Sequence, residues 1–328
     1  MLKKVVITQP LPGDRLAELA GQCDMHVLQN AQSLSARAAH DELTDCHGLI
    51  CLLTDAIDRP LLDAMPNLQF VSSVSVGVDH IDMETLTRRG IPVGHTPGVL
   101  VDTTADAAFA LLLAAARRVV EGDRYIREGN WRPEQRWAPD FFLGKDVSGS
   151  TLGIIGLGAI GQAVARRAAG FDMRVIAWTP SGRVVPGVDS VSLDELLLRS
   201  DFVSVHLALT RETHNLLDAQ KIATMKPGAV LVNTARGGIV NELALAQALD
   251  SGQLYAAGLD VFEREPVALD NPLLQHPRVV VVPHIGSATT LTRARMVDVA
   301  VRNAAAALQG QAMPHCVNPQ VYAAASAS

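Results

Sequence analysis

The stretch Leu152-Gly153-Ile154-Ile155-Gly156-Leu157-Gly158-Ala159-Ile160-Gly161 runs an apolar strand into a glycine turn, and Gln162 to Ala169 continue it as a helix. Each glycine of the turn has its own reason to be one. Gly156 allows a tight turn, Gly158 lets backbone approach a pyrophosphate, and Gly161 lets the helix pack close to the strand. The start of the helix offers unpaired N–H groups and a positive dipole end, so Ala159 and Ile160 join the glycines as candidate cofactor contacts. Glycine turns are common, but one that joins a strand to a helix points to a dinucleotide.

The next strand, Val175 to Trp178, ends at Thr179. An NAD enzyme usually carries Asp or Glu here, to accept hydrogen bonds from the adenosine ribose; that charge would repel a 2′-phosphate. This chain has Thr179, Ser181 and Arg183 instead, hydroxyls and a guanidinium that suit a phosphate. The expected cofactor is therefore NADP(H). In the alternative, Arg183 sits in solvent and NAD(H) is accepted as well.

These residues need a scaffold, and the hydrophobic pattern supplies one. Short β-rich runs at Val5–Ile7, His26–Leu28, Leu49–Leu53, Phe70–Ser73 and Ile91–Val93 alternate with helical stretches such as Asp14–Ala20 and Met83–Arg89. A long helix is expected from Asp102 to about Gly129, opened by Asp102-Thr103-Thr104 as capping residues. A Trp-, Pro- and Arg-rich loop, Asn130 to Gly144, follows. Six more strands then alternate with helices: 152–155, 174–178, 202–206, 230–233, 256–259 and 279–282. A last helix, Leu291 to Leu308, runs into an Ala/Ser-rich tail that is expected to fray. Strand–helix repetition means parallel sheets covered on both faces. The expected fold is α/β with two doubly wound domains: a Rossmann cofactor domain at 100–287, inserted in a flavodoxin-like substrate domain of 1–99 plus 288–328.

Composition fits this picture and excludes others. The chain has 328 residues, 48% of them hydrophobic and 19% charged, enough for two packed cores. A net charge of −6 leaves no footprint for nucleic acid. Cys23, Cys46, Cys51 and Cys316 form no CxxC pair and match no zinc spacing, so reduced thiols and no metal site are expected. The start lacks the features of a signal peptide. The most apolar later segment, Ala107–Ala116, is about half the roughly 20 residues a membrane span needs. The expected location is the cytoplasm, with no membrane partner.

Six ordered stretches carry a family resemblance. They are Ser73 to Asp82 (SVSVGVDHID), Thr96 to Leu100 (TPGVL), Gly153 to Gly161, Asn233 to Gly238 (NTARGG), Ala257 to Pro266 (AGLDVFEREP) and Pro283 to Ala288 (PHIGSA). Over nearly its whole length the chain resembles the D-isomer-specific 2-hydroxyacid dehydrogenases. Within them it looks most like the glyoxylate/hydroxypyruvate reductases, with bacterial 2-ketogluconate reductases close behind. The resemblance places the catalytic arginine at Arg236, the acid at Glu265 and the histidine at His284. Glu263 is passed over because the family's acid stands immediately before the proline. It also implies a cleft between the domains, hydride transfer to a small 2-oxo acid giving the D-2-hydroxy acid, and a homodimer formed largely through the long helix. Ala208 and Gly238 stand where the family often has Pro and Asp, and neither removes a reacting group.

The implied chemistry suits these residue types. Arg236 has the bidentate fork to anchor a carboxylate and polarise a carbonyl, and its flanking glycines suggest close backbone approach to a ligand. His284 follows a β-run, where such sheets bind ligands, and Glu265 beside it would favour the imidazolium that donates a proton. The resemblance further assigns the Val76 and Gly77 amides to the substrate carboxylate, with an ordinary turn as the alternative. Leu53 and Ser287 are either substrate contacts or core. Thr104, Thr234, Ala235, Asp260, His284 and Gly286 are further expected cofactor contacts, with Thr104 on the nicotinamide side and Asp260 accepting from the nicotinamide carboxamide. His95 and His206 are read as structural. Trp137 either reaches the partner's site or packs an interface. The rival readings are another 2-oxo acid reductase of the family, such as a 2-ketogluconate reductase, or a cofactor-dependent binding protein without catalysis. The complete Arg–Glu–His set argues against the last.

Overall fold

The computed structural model describes residues 1–29, 34 and 43–325. The chain divides into two compact units, Met1–Leu100 with Thr289–Ser328, and Val101–Ala288. In the first, five parallel strands run β1 (Lys3–Ile7), β2 (Cys23–Val27), β3 (Gly48–Cys51), β4 (Phe70–Ser73) and β5 (Val93–Gly94). Their order is β2-β1-β3-β4-β5, the flavodoxin-like doubly wound arrangement. β3 and β4 are buried throughout, as strands covered on both faces must be. Gly48 is a glycine because a Cβ there would lie 2.2 Å from the Phe70 ring.

Helix Thr290–Leu308 returns to this sheet, burying Met296, Val297, Ala300, Val301 and Ala304, while Ser72 Oγ donates to Ala300 O at 2.8 Å. The tail beyond it is anchored, contrary to expectation. Buried Asn318 accepts from Val93 N at 2.8 Å and donates to Ile91 O at 3.0 Å, completing the edge of β5. Gln320–Ala325 is helical, and 326–328 lie outside the described residues.

The second unit carries seven parallel strands: β6 (Thr151–Ile155), β7 (Arg174–Trp178), β8 (Asp189–Ser190), β9 (Phe202–Val205), β10 (Ala229–Asn233), β11 (Leu254–Leu259) and β12 (Val279–Val281). The order β12-β11-β10-β9-β6-β7-β8 is that of a dinucleotide-binding sheet with one strand added. Pattern reading finds six of the seven. β8 is two exposed polar residues at an edge, with no apolar signal.

The long helix is two helices, Val101–Ala116 and Val119–Arg127, rather than one. The break has an identifiable cause. Lys145 N donates to Ala116 O at 2.8 Å, taking an acceptor that a continuing helix would use. Arg118 turns left-handed, at φ 55°, with its guanidinium on Glu121 at 2.6 Å and over the Phe142 ring at 4.2 Å. All four cysteines are free, and Cys23, Cys46 and Cys51 are buried. Among the described residues no helix is long and apolar enough to cross a membrane.

Candidate active site

The turn between β6 and the Ala159–Ala168 helix lies where strand order reverses, since β6 has β7 on one side and β9 on the other. Gly156 has φ +101°, and a Cβ there would come within 2.5 Å of His206 O. At Gly161 a Cβ would meet Gly156 O at 2.1 Å. Gly158 is different: a Cβ there would project into open space, toward which backbone alone leaves room. Among the described residues no side chain caps this helix, so its first amides, including those of Ala159 and Ile160, are left for a ligand. Two buried polar atoms of this unit, Thr234 Oγ1 after β10 and His206 Nδ1 after β9, have no partner among the described residues. Burial pushes the His206 imidazole down to about 3, so it is neutral. Open backbone at Gly158, uncapped amides and orphaned polar atoms fit a dinucleotide.

Thr179 follows β7 directly, its Oγ1 3.3 Å from Ser181 Oγ. Gly182 N closes a turn on Thr179 O at 3.0 Å, and Arg183 beyond it is exposed, with no ion pair among the described residues. Asp189, the next carboxylate along the chain, is held by Arg174 at 2.8 Å.

Three loops of the same unit carry the side chains expected to do the chemistry, Arg236, Glu265 and His284. His284 Nδ1 lies 2.7 Å from Glu265 Oε2, and Phe262 N donates to Glu265 Oε1 at 3.0 Å. Nε2 of His284 makes no hydrogen bond among the described residues. His284 itself is left-handed, at φ 52°, a backbone that side chains other than glycine rarely adopt. Burial works to raise the Glu265 carboxyl. It is outweighed by the bonds from His284 and the Phe262 amide and by the charges of His284 and Arg236, which hold the pKa below its usual value. Arg236 stands on the loop after β10, whose shape is fixed by Asn233: Oδ1 accepts from Ala235 N at 3.0 Å and Nδ2 donates to Arg236 O at 2.8 Å.

Residues 109–286 match the model of the D-isomer specific 2-hydroxyacid dehydrogenase NAD binding domain. A glyoxylate reductase of Korarchaeum cryptofilum is 45% identical over 98% of this chain and 97% of its own length. The chain belongs to this dehydrogenase family. Among solved structures, a glyoxylate reductase from Paecilomyes thermophila is 31% identical, with TM-score 0.87 over 97% of this chain and 99% of its own. An NADPH-dependent glyoxylate/hydroxypyruvate reductase from Sinorhizobium meliloti, solved with NADP and malonate, is 30% identical, with TM-score 0.86 over 97% of this chain and 98% of its own.

Some residues of this dehydrogenase do work that the sequence reading did not assign. Gly237 is small because a Cβ would fall 1.8 Å from the carbonyl carbon of Phe262. At Gly237 the close approach is between the arginine loop and the Glu265 loop. Asp260, buried at the end of β11, accepts from Ile285 N at 2.5 Å and Gly286 N at 2.8 Å, which fixes the His284 loop. Burial raises its pKa against the pull of those amides and of His284. Gly286 leaves room for that carboxylate, since a Cβ would sit 2.8 Å from Asp260 Oδ2, and buried Thr104 packs beside it. Ser287 is buried, and Ala235 lies at the edge of burial. An Asn ending a strand, able to bond its own following backbone, was the signal for Asn233. In the first unit, half-buried Leu53 follows β3, and Val76 and Gly77 lie in the bend after β4.

Proposed function

We propose that this enzyme reduces a small 2-oxo acid of the glyoxylate or hydroxypyruvate type to the D-2-hydroxy acid with NADPH, His284 giving the proton. The observation that carries the reading is the 2.7 Å contact of His284 Nδ1 with Glu265, beside Arg236 and with Nε2 free. The cofactor, when bound, supplies the hydride to the carbonyl carbon. Glu265 holds one ring nitrogen and stabilises positive charge on the imidazole, so Nε2–H is aimed away from Glu265 and donates to the oxygen as alkoxide forms. Arg236 pairs with the substrate carboxylate and draws charge onto the carbonyl oxygen. Leu53, Val76, Gly77 and Ser287 complete the proposed substrate contacts. Thr104, Thr234, Ala235, Asp260 and Gly286 are further proposed cofactor contacts, Thr104 and Asp260 on the nicotinamide side, and Gly156 to Gly161 hold the pyrophosphate.

NADPH is proposed over NADH because Thr179, Ser181 and unpaired Arg183 stand where an acid would select NAD. The relative solved with NADP, described as NADPH-dependent, supports this reading. Wild-type kcat/KM should favour NADPH, and Thr179→Asp should erase or reverse the preference by placing a charge against the 2′-phosphate. Arg183→Ala should weaken NADPH more than NADH. A wild type that favours NADH, together with an Arg183→Ala variant unchanged toward both, would overturn this part alone.

The proposed assembly is a homodimer, and the proposed location cytoplasmic. The Val101–Ala116 helix buries much of its apolar face within its own unit. The surface left for a second copy is 119–143, where Val119, Ile126, Trp131, Trp137 and Leu143 are all more than half exposed.

A further inference from the structure

The bend after β4 contains three successive backbone N–H groups, of Val76, Gly77 and Val78, that donate to nothing among the described residues. The carbonyls beside them are, by contrast, taken. His95 Nδ1 lies 3.0 Å from Val76 O, and because a carbonyl only accepts, Nδ1 carries the proton. Ser75 Oγ donates to Gly77 O at 2.7 Å. A hydroxyl has one proton, so at the 2.7 Å contact with Ser73 it is Ser73 that donates to Ser75. Ser73 in turn accepts from His80 Nε2 at 3.1 Å. Donors thus run in one direction, from His80 through Ser73 and Ser75 to Gly77 O.

In a trans peptide the C=O and N–H point in opposite directions. Drawing Val76 O toward His95 turns Gly77 N–H away from it, and drawing Gly77 O toward Ser75 does the same for Val78 N–H. The result is a row of successive amides turned away from these donors and without an acceptor among the described residues, donors that an anion can accept from. His95 is itself held: its N donates to His315 O at 3.1 Å, and its carbonyl accepts from fully buried Asn303 at 3.0 Å. Gly94 lies so close to Asn303 that a Cβ would come within 2.8 Å of its amide nitrogen. Sequence reading gave His95 only a structural role.

We infer that His95 is a positioning residue for substrate: by holding the Val76 carbonyl it aims the Gly77 amide at the carboxylate of the 2-oxo acid. This rests on the proposed reduction of such acids and on the amides of this bend receiving the carboxylate. The test measures kcat and KM for glyoxylate and hydroxypyruvate, the NADPH dissociation constant and Tm, in the wild type and in His95→Leu, His95→Asn and Ser75→Ala.

His95→Leu should raise the KM of the acids about tenfold, the scale of one lost bond to a charged group, with kcat and NADPH binding within about twofold. His95→Asn keeps an N–H donor in the Nδ1 place, so its KM should stay within about threefold of wild type. Ser75→Ala frees the second carbonyl and should raise KM in the same way. A folded His95→Leu with unchanged KM overturns the proposal, and so does an equal loss in the Leu and Asn variants, or a loss confined to kcat. If His95→Leu does not fold, an unchanged KM in Ser75→Ala overturns it. A wild type that turns over no 2-oxo acid overturns the functional reading instead, and this inference with it.

Discussion

After β12, the buried carboxylate of Asp260 accepts from the amides of Ile285 and Gly286; after β4, His95 and Ser75 donate to the carbonyls of Val76 and Gly77. Both loops follow parallel strands, and both are shaped by side chains bonding to backbone. The sign of the bonding is opposite. An acceptor such as Asp260 consumes N–H groups, so its loop has few of them left to offer, and the proton donor proposed there is a side chain, His284. Donors such as His95 and Ser75 consume carbonyls and leave N–H groups free, so their bend can act through backbone alone. Whether a loop works through side chain or main chain can thus be read from which backbone atoms are already taken.

The comparison is most sharply tested at His284, where the chemistry is assigned to one side chain. His284→Ala should lower kcat by roughly 10²–10⁴, the range for a positioned general acid, while NADPH binding stays within about twofold. Steady-state kinetics with cofactor titration decide it. Turnover near wild type would mean that this loop, too, works through its backbone.

A smaller loss is expected from the residue that holds the loop. Asn in place of Asp260 has one acceptor oxygen for two amide donors, so one of Ile285 N and Gly286 N would face an N–H₂ group. His284 is already left-handed, at φ 52°, and its conformation persists only where its surroundings enforce it. Asp260→Asn should therefore lower kcat by about 10- to 100-fold, the cost of a modest misplacement of a reacting group. An unchanged kcat would show that Val282 O and Asp260 O, both accepting from His284 N, hold the loop without the carboxylate.

Much of this was legible in the sequence, for reasons that differ by level. Both sheets follow from apolar runs, and the glycine turn from three residues whose steric reasons are separate: Gly156 needs a positive φ, Gly161 has no room for a Cβ, and Gly158 has open space. Motif order pointed to Glu265 over Glu263, and Glu265 is the carboxylate that meets His284. What stayed hidden depended on contacts distant in sequence. The helix break at Arg118 depends on Lys145 reaching Ala116, and the ordered tail on Asn318 reaching β5. That Gly237 makes room for the Phe262 backbone also depends on a loop distant in sequence. His95 carries no motif at all, and its part emerges only once the Val76 carbonyl is seen to be its acceptor.

The smallest effect expected concerns pH, because one loop is held through a charged carboxylate and the other in part through the hydroxyl of Ser75. The Glu265 carboxyl lies below its ordinary value in the folded enzyme: the bonds from His284 and the Phe262 amide, with the nearby charges, overcome the effect of burial. A carboxyl lowered in this way stabilises the fold fully above its unfolded value, and the contribution is lost as pH falls through the folded one. Glu265→Gln removes the charge and leaves one acceptor for two donors. At pH 7 it should cost about 1 kcal/mol, near the upper end for a partly exposed pair. In a unit of this size that lowers Tm by about 2–4 °C. Below pH 4.5, the carboxyl's ordinary value, the wild type progressively loses the same contribution, so the gap between the two melting curves should narrow. Ser75→Ala loses a neutral hydroxyl, and its gap should not follow that window. If the Glu265→Gln gap were equally wide at pH 7 and pH 3, the contact with His284 would be holding the loop by shape rather than by charge, and the distinction between the two loops would rest on backbone polarity alone.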